Sequence, residues 1–265
     1  MLEHNSKKEI RHQKIRALLN ERETVELADL HKILGCSDST IRNDLRYLES
    51  MGYLIRTFGG AMKAASVSVT MRSGDYQEEK RLIADYAFTH FVKPDQTITI
   101  DSGSTCIELA LKISESDIPL NVITTSFFAT SLLVYKDNIE LNLVGGKYDA
   151  NTGSFFDENS IEIIKTMWSD IFFMGAKGVS PSVGYSISSA TEASLKRTMR
   201  QCSNRTVALL DHTKIGTVAF KRVCGVEDVD TIITDYKADA AVVEKLREKG
   251  LKVILVSPNG ESMGI

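Results

Sequence analysis

The chain is poor in proline, with four in 265 residues, and it has no low-complexity run; both argue against long disordered tails. Its cysteines are few and scattered. Cys36, Cys106, Cys202 and Cys224 form no CxxC pair, which excludes a zinc-ligand pattern or a disulfide framework and suggests reduced thiols in a cytoplasmic protein. No stretch approaches the ~18 uninterrupted apolar residues of a membrane helix. The opening MLEHNSKKEIRHQKI has no apolar core, so it is not read as a signal peptide. A strong charge of either sign is also lacking: the net of −3 gives no bulk sign of a nucleic-acid partner. What remains is ordinary globular composition, 43% hydrophobic and 25% charged, enough for one large domain or a small one plus a medium one.

The first sixty residues carry ten basic against nine acidic side chains, a mild excess that says little alone. Periodicity says more. RHQKIRALLN puts Ile15, Leu18 and Leu19 on one helical face, and TVELADLHKIL puts Leu27, Leu30 and Leu34 on another. Thr24 is the expected N-cap of that second helix, Gly35 its stop, and Ser37 the cap of a third. In the third helix Ile41, Leu45 and Leu48 share an apolar face, while Asp38, Ser39, Arg42, Asn43 and Arg46 form the opposite one. Helix, glycine turn, helix is the helix-turn-helix pattern. The polar face suits a major groove, where Arg pairs bidentately with guanine and Asn with adenine. A solvated helix in a bundle is the competing reading. Gly52 is expected to stop this helix; YLIRTF and Gly59-Gly60 then predict a small β-hairpin wing on which Arg56 could reach a phosphate.

The segment RHQKIRALLN…VELADLHKILGCSDSTIRNDL…LESMGYLIRTFGGA resembles the DNA-binding domain of the DeoR family of bacterial transcription regulators. Arg11, Ile15, Ser37, Thr40, Ile41, Arg42, Asp44, Leu45, Gly52, Arg56, Gly59 and Gly60 stand where that pattern expects them. Asn43 departs from it, replacing a usual second arginine. The expected DNA-contacting set is Ser37, Asp38, Ser39, Thr40, Arg42, Asn43, Arg46 and Arg56.

The spacing divides the chain into a winged helix-turn-helix at 1–62, a linker at 63–77 without a sustained apolar period, and a larger domain at 78–265. In the larger domain the runs TITID, NVITT, IELNLVGG, DIFFMGA, TVALL, TIITD and KVILV alternate with helical stretches near 105–114, 126–136, 157–167, 190–202 and 238–249. Such alternation predicts an α/β domain with a mainly parallel sheet, which binds ligands beyond the carboxyl ends of its strands. The strand TITID runs into Ser102, Gly103, Ser104 and Thr105, and a helix follows at once. Gly103 would let a ligand near the backbone, and the helix start would offer unpaired N–H groups to a phosphate or carboxylate. An ordinary helix cap is the alternative. The loop lacks the lysine and length of a P-loop and is not GxGxxG, so nucleotide binding is disfavoured. Asp101 at the mouth is read as an acceptor for a sugar hydroxyl. Thr124, Thr125, Lys177, Glu192, Lys196 and Lys214 are further candidates at strand ends or in loops, each weighed against a solvated surface role; Gly145-Gly146 is read as a turn.

This part resembles the sugar-phosphate-sensing C-terminal domain of the same family through DSGST, ITT, LVGGKY, SDIFFMGAKGV, GYS, TEASLKRTM, LLDHTKIG and DTIITD. The resemblance implies a fold similar to ribose-phosphate isomerases and coenzyme A transferases. It also implies an effector pocket lined by Asp101 to Thr105, Thr124, Glu192 and Lys214. Thr125 stands for a usual asparagine, Asp157 for a usual glycine and Lys177 for a usually small or uncharged residue. The expectation is a repressor of sugar-metabolism genes that binds a double-stranded operator as a homo-oligomer, dimer or tetramer. A phosphorylated sugar would release it, with no cofactor, metal or membrane involved. Two other readings compete: a sugar-phosphate isomerase or transferase using Asp101, Glu192 and Lys214, and a thiol sensor using Cys106 at the helix start.

Overall fold

The computed structural model describes residues 2–22, 24–50, 54–57, 59–63 and 75–258. The chain divides into two compact units, Met1–Asp75 and Tyr76–Ile265. The expected stop at Gly52 and most of the expected linker lie outside the described residues.

The first unit contains α1 (Leu2–Arg22), α2 (Leu27–Leu34) and α3 (Asp38–Ser50), with strands β1 (Thr24–Glu26), β2 (Leu54–Thr57) and β3 (Gly60–Lys63). Its core is Ile15, Leu19, Leu30, Ile41, Leu45, Leu48 and Leu54, each almost fully buried. Side chains of this size contribute about 1.5–3 kcal/mol each on burial, so this short list holds the helices together. Gly35 ends α2 in the left-handed conformation, at φ 62°, where its amide reaches the His31 carbonyl. Ser37 Oγ accepts the Thr40 amide at 3.3 Å, as expected of a cap. Thr24 is not a cap. It opens β1, which pairs antiparallel with β3, and Glu26 takes the N-cap position of α2 without a side-chain bond. The β1 pairing explains Gly60: a Cβ there would lie 2.0 Å from the Val25 carbonyl oxygen. The wing is therefore three-stranded, in the order β1-β3-β2.

The second unit is built on seven parallel strands. They are β4 (Thr97–Ile100), β5 (Leu120–Thr124), β6 (Ile139–Leu143), β9 (Ile171–Met174), β12 (Thr206–Leu209), β14 (Thr231–Asp235) and β15 (Lys252–Val256). The spatial order is β15-β14-β12-β9-β4-β5-β6. One face packs on α4 (Gln77–Phe91), α5 (Ser104–Ser114) and α6 (Phe127–Leu133). The other packs on α7 (Glu158–Ile164), α8 (Ala190–Gln201) and α9 (Ala240–Glu248). Alternation within a strand divides the residues: Phe173 faces the first layer, and Phe172 and Met174 face the second. All seven sequence-predicted runs form these strands. Two small antiparallel sheets are additions. One pairs β7 (Tyr148–Asp149) with β8 (Ser154–Phe155); the other runs β10-β11-β13, at Gly178–Ser180, Gly184–Ile187 and Lys221–Cys224. The chain runs outward from β4 through β5 to β6, and in the other direction from β9 through β12 to β15. The β4–β9 boundary is thus the topological switch point, the place beside which open α/β sheets bind their ligands.

Candidate functional site

In the first unit Ser37, Asp38, Ser39, Arg42, Asn43, Arg46 and Arg56 are exposed and Thr40 is half-buried. The face of α3 opposite Ile41 and Leu45 is therefore a continuous polar surface. It is internally ordered. Ser37 Oγ lies 2.9 Å from both Ser39 Oγ and Thr40 Oγ1. His31 Nδ1 lies 3.2 Å from Asp38 Oδ1. Arg46 Nη1 donates to Asn43 Oδ1 at 3.1 Å, so Asn43 positions an arginine. Arg56 donates through its backbone amide and its Nε to Glu49, at 2.8 and 2.6 Å, and these bonds hold the Glu49 carboxyl below its usual pKa. A phosphate would have to draw Arg56 away from that partner. Asp44 is buried beneath this surface. It accepts Arg11 Nε at 2.7 Å and Nη2 at 3.2 Å, with His12 Nε2 at 2.9 Å, tying α1 to α3. Arg11 and Asp44 thus hold α3 in place.

In the second unit Asp101 follows β4 and Gly175 follows β9, side by side at the switch point. Asp101 Oδ2 accepts the Gly175 amide at 2.7 Å and also the Lys196 ammonium. Lys196 lies on α8, one turn after Glu192, whose Oε1 is 3.5 Å from the same ammonium. Asp101 and Lys196 are both buried. Burial alone would lower the Lys196 pKa, but Asp101 and Glu192 outweigh it and raise it. Glu192 is shifted up by burial, and Lys196 only partly offsets that. The Oδ2 of Asp101 thus already serves Gly175 and Lys196.

Gly103 sits at φ −62° and ψ 145°, a conformation open to any residue. Its small size matters for another reason: a Cβ there would lie 3.3 Å from the Gly175 Cα, a backbone atom that cannot rotate away. The start of α5 has no side-chain cap, whereas α6, α7, α8 and α9 are capped by Ser126, Asp157, Ser189 and Asp239. Gly103 itself occupies the N-cap position, and the start of α4 at Tyr76 likewise has no side-chain cap. Ser104 is exposed, Ser102 and Gly103 are half-buried, and Thr105 is buried. Thr124 is fully buried, with its Oγ1 donating to the Ile100 carbonyl at 2.7 Å and accepting the Ser126 amide at 3.0 Å. Thr125 is buried beside it, its carbonyl accepting the Phe155 amide at 2.8 Å. Lys177 is exposed after β9, and its charge acts on Glu192. Lys214 closes a 3-10 turn, His212–Lys214, and its Nζ donates to Thr213 Oγ1 at 2.9 Å.

Sequence reasoning missed Gly175, and it named Lys196 only as a candidate weighed against a solvated surface role. The only advance signal for Lys196 was its spacing of four from Glu192. Cys106 is fully buried, with its thiol donating to the Phe173 carbonyl at 3.5 Å, and burial pushes its pKa well up. The burial of Cys106 fits the reading of a plain buried cysteine over that of a thiol activated at a helix start. Among the described residues no cluster of three or more His, Cys, Asp or Glu could hold a metal, and no helix is long and apolar enough to cross a membrane. A cleft of about 540 Å³ lies on the same unit between Lys147, Tyr148, Asp157, Ser189 and Thr191. None of the predicted effector residues lines it, although Thr191 directly precedes Glu192.

Comparison with known proteins matches residues 11–67 to the DeoR-like helix-turn-helix domain and residues 75–236 to the DeoR C terminal sensor domain. The HTH-type transcriptional regulator GolR of Listeria innocua serovar 6a is 34% identical, over 92% of this chain and 96% of that one. A putative aga operon transcriptional repressor of Escherichia coli O157:H7 is 28% identical, over 93% of each chain. The HTH-type transcriptional repressor GlcR of Bacillus subtilis is also 28% identical, over 89% of this chain and 92% of that one. Among solved structures, a D-ribose-5-phosphate isomerase in complex with phospho-erythronic acid overlaps 53% of this chain and 55% of its own, at 18% identity and TM-score 0.39, too little to carry an argument about function. The two domain matches and the full-length relatives agree: the chain belongs to the DeoR family of helix-turn-helix transcriptional regulators.

Proposed function

We propose that this regulator is a repressor that binds a double-stranded operator as a homo-oligomer, dimer or tetramer, in the cytoplasm, and is released by a phosphorylated sugar. The observation that carries the DNA side is the exposed row Ser39, Arg42, Asn43 and Arg46 over the buried row Ile41, Leu45 and Leu48 on one helix. Arg42 and Arg46 read base edges in this account, while Ser37, Asp38, Thr40 and Arg56 lie around the phosphates. Two linked heads on two half-sites gain affinity that one head lacks.

The effector side rests on the start of α5, which has no side-chain cap, beside the Gly103–Gly175 approach, with Lys177 and Lys214 as the cations assigned to the phosphate. The phosphate sits against the amides opening α5, near Ser102, Ser104 and Thr105. Asp101, Lys196 and Glu192 form the buried floor, and Thr124 and Thr125 hold the neighbouring strand end. Repression is supported by two relatives whose names call them repressors. Release follows when the effector prefers the conformation that binds DNA poorly.

Catalysis is the second reading, and the buried ion pair speaks against it. Asp101 already holds Lys196, and the amino-terminal head serves no isomerase. The test is fluorescence anisotropy of a labelled upstream DNA fragment, titrated with protein. Glucose 6-phosphate, fructose 6-phosphate, ribose 5-phosphate and glycerol 3-phosphate are then added, with product analysis of each mixture. Turnover of any sugar phosphate would replace this reading with the enzymatic one.

A further inference from the structure

The chain enters the sensor unit at Tyr76, in an unusual state. Tyr76 has φ 64° and ψ 39°, and among the described residues only it and Asp95 are non-glycine residues with positive φ. A bulky side chain avoids this region, so surrounding contacts must hold it there. The contact present is with His212: the two rings meet edge-to-face, with centroids 4.6 Å apart. His212 is in turn anchored to Asp235, at the carboxyl end of β14. Its amide donates to Asp235 Oδ2 at 2.7 Å, and its Nδ1 lies 3.0 Å from Oδ1. Asp235 is fully buried and also accepts the Lys237 amide at 3.0 Å. The Lys237 ammonium bonds Glu79 in the first turn of α4. The start of α4 is thus fastened to the loops after β12 and β14.

The same 3-10 turn that presents His212 to Tyr76 ends in Lys214, and Thr213 between them is bonded to Asp211 through both its amide and its hydroxyl. A turn of three residues braced in this way moves as one piece. Resting on the effector reading above, we propose that the Tyr76–His212 contact is the coupling joint of the regulator. An anionic ligand drawing on Lys214 shifts the turn, His212 withdraws its support, and Tyr76 leaves its positive-φ state. The segment leading back to the winged helix starts at that residue. Tyr76 and His212 are positioning residues that touch neither effector nor DNA. The energy held in the backbone of Tyr76 gives the joint two states rather than a continuous range.

The test uses the full-length protein and three variants, Tyr76→Gly, Tyr76→Phe and Lys214→Ala. Tyr76→Gly removes the ring and frees the backbone; Tyr76→Phe keeps the edge contact. Operator binding is followed by anisotropy, and binding of the four sugar phosphates named above by calorimetry. Tyr76→Gly is expected to bind operator and sugar phosphate within about twofold of wild type while its release midpoint rises about tenfold, inside the usual span of coupling. Tyr76→Phe should restore the wild-type midpoint. Release of Tyr76→Gly at the wild-type concentration would overturn the joint, and so would loss of sugar-phosphate binding itself. A second readout needs no ligand: amide hydrogen exchange across residues 76–82. Lys214→Ala should speed it, and Tyr76→Gly should speed exchange across 211–216. If no sugar phosphate releases wild type, the effector reading fails, and the exchange result alone decides the joint: unchanged rates in both segments overturn it.

Discussion

Lys196 and Asp101 form an ion pair at the switch point of the sheet, with side chains only 2% and 3% exposed. Removing one member leaves a buried charge without its partner, a loss of about 3–5 kcal/mol. Lys196→Ala and Asp101→Asn should each lower stability in urea unfolding by that order. The double variant should cost less than the two single losses added together, because both delete the same interaction. Additive losses would mean that the two groups act independently.

Glu192 carries a cost in the opposite sense. Burial raises its pKa above the usual 4.5. A carboxyl whose folded-state pKa is raised stabilises the fold below its unfolded value, and that contribution is lost as pH rises through the folded value. Glu192→Gln should therefore be at least as heat-stable as wild type at pH 7. Its relative advantage should vanish below pH 4.5. Calorimetric melting at both pH values checks the sign, and a constant difference would refute it.

Asp44 lies at the centre of the head. Asp44→Ala removes bonds from Arg11 and His12 at once. Hydrogen bonds to a charged group contribute about 1.5–3 kcal/mol, so the head should melt earlier by roughly this amount. Operator affinity should fall with it, although Asp44 is buried away from the reading surface. Conversely, Arg42→Ala should leave melting unchanged and cost ~1–3 kcal/mol in operator binding. Unchanged affinity at fixed salt would place α3 outside the groove.

Asn43→Arg both adds a cation and releases Arg46 from its amide partner. Non-specific DNA binding should tighten, with a salt slope steeper by about one unit. Titrations at three salt concentrations suffice. An unchanged slope would show that position 43 faces away from the phosphates.

Gly103→Val and Lys214→Ala should both bind operator normally and respond poorly to sugar phosphate. The valine collides with the Gly175 backbone and closes the approach, so more effector should not rescue it. Loss of the lysine removes one charge-assisted bond, which would raise the release midpoint roughly tenfold or more. Wild-type release from both variants would remove the effector from this end of the sheet.

Local pattern by itself determined the helix-turn-helix, because Ile41, Leu45 and Leu48 repeat at helical spacing and Gly35 supplies the left-handed stop. It determined the seven parallel strands too, since strands covered on both faces read as continuous apolar runs. It could not reveal β10, β11 and β13, which are three or four residues long and carry Gly, Ser and Lys in place of such a run. Nor could it show that Thr24 would pair as a strand: that pairing needs Met62, remote in sequence. The candidate site was legible at Gly103 and Glu192, where strand end and helix start adjoin in the chain. Its floor was not. Lys196 is charged and four residues from an acid, which describes a solvated helix face as well as a buried one. Only the tertiary structure brought it to Asp101, ninety-five residues away. The physical reason is range: periodicity reports which side of an element is apolar, whereas an ion pair between distant elements depends on strand order, and strand order is decided by the packing of the whole sheet.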